Sequence, residues 1–426
     1  MFREFTVERI TRAMHGKTDL AVPELVRRVT IDSRETGPGD LFFALRGKRT
    51  DGHNHAADAL RQGAVAAVVD RPLATGREIV VSDTLRALGE LARCYRNHCP
   101  VRTIGITGTN GKTTVRNLVA AILSKEHRVL RAQGNYNSLI GLPLTIFGLQ
   151  GNEDYLVVEM GTNAAGEIKR LCDIARPETG VITNIGPGHL EGLGSIEGVR
   201  KEKLSLVDSL PPNGLCLVGD GVGDLARDRV ARFSMSMLER VELTEYGSHF
   251  SYQSKAYVTR LLGAANVGNC LAAILLTSML GVTYPVQRAA VAELKPNAGR
   301  LEPLVWDRLL VINDTYNANP ASMKTAIDFV GQLKRRKIIV LGDMLELGAQ
   351  SRKLHEETGA YAAARADLFV TLGQEARYYH GEHFAGANEL VRYLSGKIAG
   401  NEVVLFKASR ALRFENHIRA LARVVK

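Results

Sequence analysis

Apolar residues in this chain gather into short continuous runs, and between the runs they recur at helical spacing over polar stretches. Leu41 to Leu45 and Ala64 to Val69 read as short buried strands around a helical pattern at 55–62. A second helical pattern spans Thr84 to His98 and stops before Pro100. The β-branched run Thr103 to Thr107 reads as a buried strand, after which Val115, Leu118, Val119, Ile122 and Leu123 mark one face of a helix. Tyr155 to Glu159 and Val181 to Gly186 are further strands, with helices over 196–210 and from about Asn266. The helical pattern breaks at Lys295-Pro296-Asn297-Ala298-Gly299. Beyond it, strands at 308–313, 337–341, 367–372 and 402–407 alternate with helices at 320–333, 352–364, 387–398 and 411–424. Strand-helix alternation of this kind argues for a parallel sheet. The prediction is an α/β chain of three domains. A small N-terminal α/β domain covers 1–99, a central domain with a parallel-rich sheet covers 100–297, and a Rossmann-like domain covers 298–426.

Length and composition are compatible with that division. The 426 residues are too many for one core, and 45% hydrophobic with 23% charged is globular composition. The start, Met1 to Arg9, mixes acids and bases without an apolar core, unlike a signal peptide. The longest apolar run, Leu271 to Val282, is too short for a membrane span and is interrupted by Thr277 and Ser278. Cysteines 94, 99, 172, 216 and 270 form no C-x-x-C pair, as expected of a reducing cytoplasm and of a chain without structural zinc. The net charge of +10 is scattered. Its one dense run, Lys334 to Lys337, reads as the solvated end of an element. Without aromatic-interleaved or finger-type spacing no nucleic-acid partner is expected, which leaves phosphate-bearing small ligands or solubility alone as readings of the charge.

The densest candidate chemistry lies between the strand ending at Thr107 and the helix that follows. There Thr107-Gly108-Thr109-Asn110-Gly111-Lys112-Thr113-Thr114 places two glycines, a lysine and a hydroxyl at a helix start. Unpaired N–H groups and the helix dipole make such a loop a cradle for polyphosphate, with Thr113 an oxygen ligand for a bound Mg²⁺. The spacing departs from G-x-x-x-x-G-K-[ST], because Ile106 holds the first glycine position. Glu159 ends its strand at the sheet edge where ligands collect, so it can face the loop and hold the metal. His189 reaches the same edge and reads either as structural or as a ligand. Lys201 and Lys203 lie on a helix where most lysines are solvated. Asn266 and Asn269, one turn apart, can read a base or cap a helix. Asp32-Ser33-Arg34, Gly39-Asp40 and Asp51-Gly52-His53 admit both turn chemistry and a polar pocket. The last unit has no G-x-G-x-x-G and is not read as a dinucleotide site.

Taken together, these stretches resemble the Mur ligases, which build the peptidoglycan stem peptide. The loop 107–113 is similar to the family's ATP loop, and 32–53 resembles the UDP-binding domain of the branches that add the third residue or the final dipeptide. Gly134-Asn135-Tyr136-Asn137 with Gly141-Leu142-Pro143, Asp314-Thr315-Tyr316-Asn317-Ala318-Asn319-Pro320, and Leu341 to Gly348 resemble the dipeptide-adding branch. The resemblance implies ATP-driven amide formation through an acyl phosphate, with two Mg²⁺ ions and a central P-loop ATPase domain. It implies UDP-N-acetylmuramoyl-tripeptide and D-alanyl-D-alanine as substrates, and a chain acting as a monomer. Lys112, His189 and Lys203 become the catalytic candidates, the last as a carbamylated lysine. Thr113, Glu159, His189 and Lys203 become metal ligands. ATP contacts fall on Gly108, Thr109, Asn110, Gly111, Lys112, Thr113 and Thr114 of the loop, and on Asn266, Asn269, Arg300 and Asp314. Substrate contacts fall on Ser33, Arg34, Asn135, Asn137, Tyr316, Asn317 and Asn319. Ala265 stands where the family carries His, and Ser205 where this branch often carries Glu.

Overall fold

Four sheets organise the molecule in the computed structural model, which describes residues 5–20, 25–47, 50–225 and 227–425. Met1 to Glu4 of the N-terminal stretch lie outside the described residues. The first sheet is parallel throughout, in the order β1 (Arg28–Thr30), β2 (Asp40–Phe43), β3 (Ala66–Val69), β4 (Glu78–Val80). Its inner strands are buried along their whole length, as expected where helices or loops cover both faces.

The helix Thr84–Asn97 belongs to two neighbours at once. Leu88, Leu91 and Tyr95 are buried in one continuous core with Leu41 and Val68 of the first sheet and with Phe147, Leu171 and Ile174 of the central unit. Each such apolar side chain taken from water contributes about 1.5–3 kcal/mol. The seam is therefore held by packing, and the Tyr95 hydroxyl adds a hydrogen bond to the Leu149 carbonyl at 2.7 Å.

The central sheet comprises β5 (Arg102–Thr107), β6 (Val129–Arg131), β7 (Tyr155–Glu159), β8 (Thr179–Ile182), β9 (Leu215–Val218) and β10 (Val230–Arg232). All its pairings are parallel, in the order β10-β9-β8-β5-β7-β6. The β5 strand lies between β7 and β8, where the order of strands reverses. That is the position at which an open α/β sheet leaves a crevice at its carboxyl edge. The strand expected over 181–186 in fact ends at Ile182. Thr183 to Gly186 leave the ladder to hydrogen-bond the loop after β5, so their backbone serves the loop instead of the sheet.

Apolar patterning did not predict the antiparallel sheet β11 (Arg240–Thr244), β12 (Gly247–Tyr252), β13 (Lys255–Thr259). Its first strand has no buried position, so no alternation marks it. The last sheet follows the expected strand-helix alternation closely. It adds β14 (Glu302–Trp306), antiparallel to β15 (Leu309–Asp314), and the short β18 (Glu382–Phe384) to the expected strands. With β16 (Lys337–Gly342), β17 (Leu368–Leu372) and β19 (Val403–Lys407) the order is β14-β15-β19-β16-β17-β18. The expected α/β class with parallel-rich sheets is borne out. In the basic run before β16, Arg335 is engaged as well as solvated: its guanidinium meets Glu245 of the β11–β12 turn at 2.6 and 2.7 Å.

Candidate active site

The loop after β5 turns on two glycines. Gly108 has φ +140° and Gly111 has φ +84°, and a Cβ at either would collide with Thr183 Oγ1 or Asn269 Oδ1 respectively. Only glycine fits these left-handed, crowded positions. Gly111 then opens the helix Lys112–Leu123 without a capping side chain, which leaves the first-turn N–H donors facing the cleft. Asn184 shapes the loop from outside by accepting the Asn110 N–H at 3.0 Å on its Oδ1. Lys112 Nζ folds back onto the carbonyls of Gly108 at 2.9 Å and Thr109 at 3.2 Å.

A carboxylate sits beneath this loop. Glu159 is 2% exposed, accepts Thr113 Oγ1 at 2.7 Å on one oxygen and Asn137 Nδ2 at 2.8 Å on the other. Burial alone would raise its pKa. Lys112, the Asn137 amide, Arg116 and Thr113 outweigh that and hold it below the usual carboxylate range. Burial pushes the Lys112 ammonium down; Glu159 opposes the shift and Arg300 reinforces it.

The C-terminal sheet closes the other wall. Arg300 Nη2 donates to Thr113 Oγ1 at 2.9 Å, and its guanidinium lies 4.0 Å from the centre of the Tyr316 ring. Asn319 Nδ2 donates to Asn110 Oδ1 at 2.8 Å, joining the loop to the start of the helix Pro320–Gly331. Asp314 spends its oxygens within its own unit, on the Leu301 N–H at 3.0 Å and on buried Lys407 Nζ at 2.6 Å. The walls enclose a cavity of about 560 Å³.

Nearly all the expected site residues meet there. Thr109 to Thr114, Asn135, Asn137, Glu159 and His189 line the cavity from the central unit, with Asn266 and Asn269 above them. Arg300, Asp314, Tyr316, Asn317 and Asn319 line it from the C-terminal unit. Gly108 lies under the loop without lining the cavity. Asn266 and Asn269 are not caps, since Gly263 holds the cap position. Asn266 donates to the Leu262 carbonyl at 2.9 Å and accepts from Asn269 at 3.1 Å. His189 has a left-handed backbone, φ +56°, and its Nδ1 lies 2.9 Å from Glu346 Oε2.

Two groups of residues fall elsewhere. Ser33 and Arg34 form a 3-10 turn that the structure does not bring into this cavity. There the Asp32 carboxylate takes the Arg34 N–H at 3.0 Å, so the turn chemistry left open by the sequence is present. Of the two lysines on the helix 196–208, Lys201 faces water as most such lysines do, whereas Lys203 is 1% exposed. Burial, reinforced by Lys112 and opposed by Glu202, pushes its pKa down to about 7. Lys203 does not line the cavity.

Sequence reasoning missed Glu346, Lys407 and Arg410, which also line the cavity. Lys407 ends β19 at the carboxyl edge, and the edge rule that singled out Glu159 applies equally to it.

A phosphate cradle on one parallel sheet, closed by polar side chains from a second, defines a nucleotide-using enzyme that delivers a second reactant. Three family models agree with that class: "Mur ligase family, catalytic domain" over 25–104, "Mur ligase middle domain" over 106–277 and "Mur ligase, glutamate ligase domain" over 299–410. The chain belongs to the Mur ligase family. It is 35% identical to the UDP-N-acetylmuramoyl-tripeptide--D-alanyl-D-alanine ligase of Escherichia coli K12, over 98% of each chain. A crystal structure of MurF from Acinetobacter baumannii superposes with TM-score 0.92 at 29% identity, covering 98% of this chain and 99% of that one. The MurF ligase of Thermotoga maritima in complex with ADP gives TM-score 0.87 at 28% identity, covering 94% and 98%.

Proposed function

We propose that this chain uses ATP to join D-alanyl-D-alanine to UDP-N-acetylmuramoyl-tripeptide, in the dipeptide-adding step of peptidoglycan synthesis. The observation that carries the reading is that one cavity is lined by the phosphate loop on one side and by Arg300, Tyr316 and Asn319 on the other. A carboxylate is a poor electrophile, so the tripeptide's terminal carboxylate oxygen attacks the γ-phosphorus and ADP leaves. The amine of the dipeptide then attacks the acyl phosphate carbonyl, an amide bond forms, and phosphate departs as the amine loses its proton.

Lys112 and the first-turn N–H groups hold the charge on the transferring phosphoryl, which is where electrostatic stabilisation counts most. Lys112 needs only to exchange the Gly108 and Thr109 carbonyls for phosphate oxygens. Asn135 and Asn137 present the sugar-peptide substrate, and the pairing of Asn319 with Asn110 registers the C-terminal unit against the loop. Closure over the cavity keeps water from the acyl phosphate.

The oxygen pair of Thr113 and Glu159 fits magnesium. It is hard, close together and small in number, as expected of an ion that takes its other ligands from phosphate and water. A bound Mg²⁺ supplies charge neutralisation to the β- and γ-phosphates. His189 is assigned to a second ion. Lys203, its pKa pushed down to about 7 by burial, has a substantial neutral fraction at pH 7, which is what combination with CO₂ to give a carbamate and a proton requires. The reading takes a monomer, acting in the cytoplasm where ATP is supplied, as the working unit.

Mass spectrometry of the product tests the assignment. With UDP-N-acetylmuramoyl-tripeptide, ATP and D-alanyl-D-alanine, the expected products are ADP, phosphate and a sugar-peptide longer by the dipeptide. ADP without a lengthened peptide, or equal use of a diamino acid, overturns it.

A further inference from the structure

Both oxygens assigned to the metal are already held by cations of the protein. Arg116 Nη1 lies 3.5 Å from Glu159 Oε2, the oxygen that also accepts Thr113, and Arg300 caps the Thr113 hydroxyl at 2.9 Å. The two arginines differ in freedom. Arg116 is 2% exposed and cannot swing away. Its Nε and Nη2 both donate to Asn117 Oδ1, at 3.1 and 3.0 Å, and its Nη1 donates to the Gly134 carbonyl at 3.0 Å. Asn117 is fixed in turn, accepting Arg131 Nη1 at 2.9 Å and donating to Asn297 Oδ1 at 2.7 Å. Arg300 is only partly buried and rides on the C-terminal unit, stacked on Tyr316.

A divalent cation at Glu159 would meet one immovable guanidinium, one movable guanidinium and the Lys112 ammonium. Repulsion of this kind is strong in a site shielded from water. Nucleotide phosphates reverse the balance, because they bring several negative charges and draw Lys112 and Arg300 to themselves.

We propose that Arg116 and Arg300 form an electrostatic lock on the Thr113–Glu159 oxygen pair, so that a divalent cation is admitted only together with nucleotide phosphate. Arg116 thus acts as a positioning residue that sets the order of binding. The lock rests on the reading of Thr113 and Glu159 as metal ligands.

Manganese binding followed by the EPR signal of the free ion tests it on the full-length protein, with and without ADP. Wild type should bind manganese weakly alone and tightly with ADP. Arg116→Gln should tighten binding to the nucleotide-free protein by about tenfold or more, with a much smaller change when ADP is present. Arg116→Lys, which keeps the charge and loses the fork, should stay near wild type, an outcome that a merely structural role would not give. A folded Arg116→Gln protein with unchanged manganese affinity overturns the lock. So does wild type binding manganese as tightly without ADP as with it. Should Arg116→Gln fail to fold, Arg300→Gln at its partly exposed position must tighten nucleotide-free binding several-fold, and no change there overturns the lock. If wild type does not bind manganese even with ADP, the metal reading itself fails and takes the lock with it.

Discussion

Two regions of this molecule build tight turns from glycine and short polar side chains, and put them to opposite uses. In the N-terminal unit the Asp32 carboxylate is spent on Arg34, and Asp51 on the N–H and ring of His53, two residues away in each case. The second His53 nitrogen accepts the Asp70 N–H at 3.0 Å and Arg71 donates to Asp51 at 3.1 Å, so the network stays within about twenty residues of chain. In the phosphate loop the partners are far along the chain. Asn110 meets Asn184 across 74 residues and Asn319 across 209, and Thr113 meets Arg300 across 187. A turn whose polar groups are satisfied locally has finished its work once it has turned the chain. A turn held from outside keeps its own donors, here the first-turn N–H groups and Lys112, available to a ligand.

The sharpest way to break this contrast is at Lys112. Its ammonium hydrogen-bonds two carbonyls of its own loop and faces the buried Glu159 carboxylate, which Asn137, Thr113 and Arg116 still hold without it. Lys112→Ala should therefore leave the protein folded while lowering kcat by about 10³-fold or more. Steady-state release of phosphate beside a thermal scan measures both. Near-normal turnover would refute the assignment of the loop.

Lys203 extends the comparison to two lysines on one helix, Ile196–Asp208, where Lys201 is solvated and Lys203 is buried. With its pKa at about 7 in the folded protein against 10.5 unfolded, Lys203 binds a proton less readily when folded. Between those values the unfolded chain holds the extra proton, so this group makes stability rise with pH, and its full cost is felt below pH 7. Lys203→Met should therefore raise the melting midpoint by about 2–4 °C at pH 6, a gain that shrinks toward pH 9. The scans need CO₂-free buffer, which keeps the amine unmodified. The same substitution should abolish turnover. A midpoint that falls at pH 6 would mean that the buried ammonium is stabilising.

How far the sequence could be read follows the same division between near and far. The strand Arg102–Thr107, the helix after it and the strand-helix alternation of the last unit were legible, because buried apolar runs state their period locally. The site was legible where one motif carries it, at Gly108 to Thr114, and where a carboxylate ends a strand, at Glu159. The burial of Lys203 was legible only in part: Val199 and Leu206 share its helix face, but a lysine on such a face ordinarily reaches solvent, and only the surrounding elements close it off. Glu346 was missed for a related reason, since it gains its place through His189, more than 90 residues away; Lys407 met the same strand-end criterion as Glu159 and was passed over. The sheet 240–259 gave no signal, since its first strand buries nothing.

The smallest expected effect lies in the N-terminal turn. The side-chain bond from Arg34 and then the Arg34 N–H hold the Asp32 carboxyl down, at about 2. A carboxylate with a lowered pKa adds stability above its unfolded value of 3.8, and that stability is lost as pH falls through about 2. The group is exposed and well screened, so Asp32→Ala should cost only about 0.5–1 kcal/mol, the worth of a lost cap. The loss should be confined to the first unit and should fade as pH drops. Amide exchange in residues 28–43 measures it, and the KM for ATP should not move. A clear rise in the KM for the UDP-sugar substrate would show that Ser33 and Arg34, which lie outside the main cavity, are held by Asp32 for a ligand as well as for the turn.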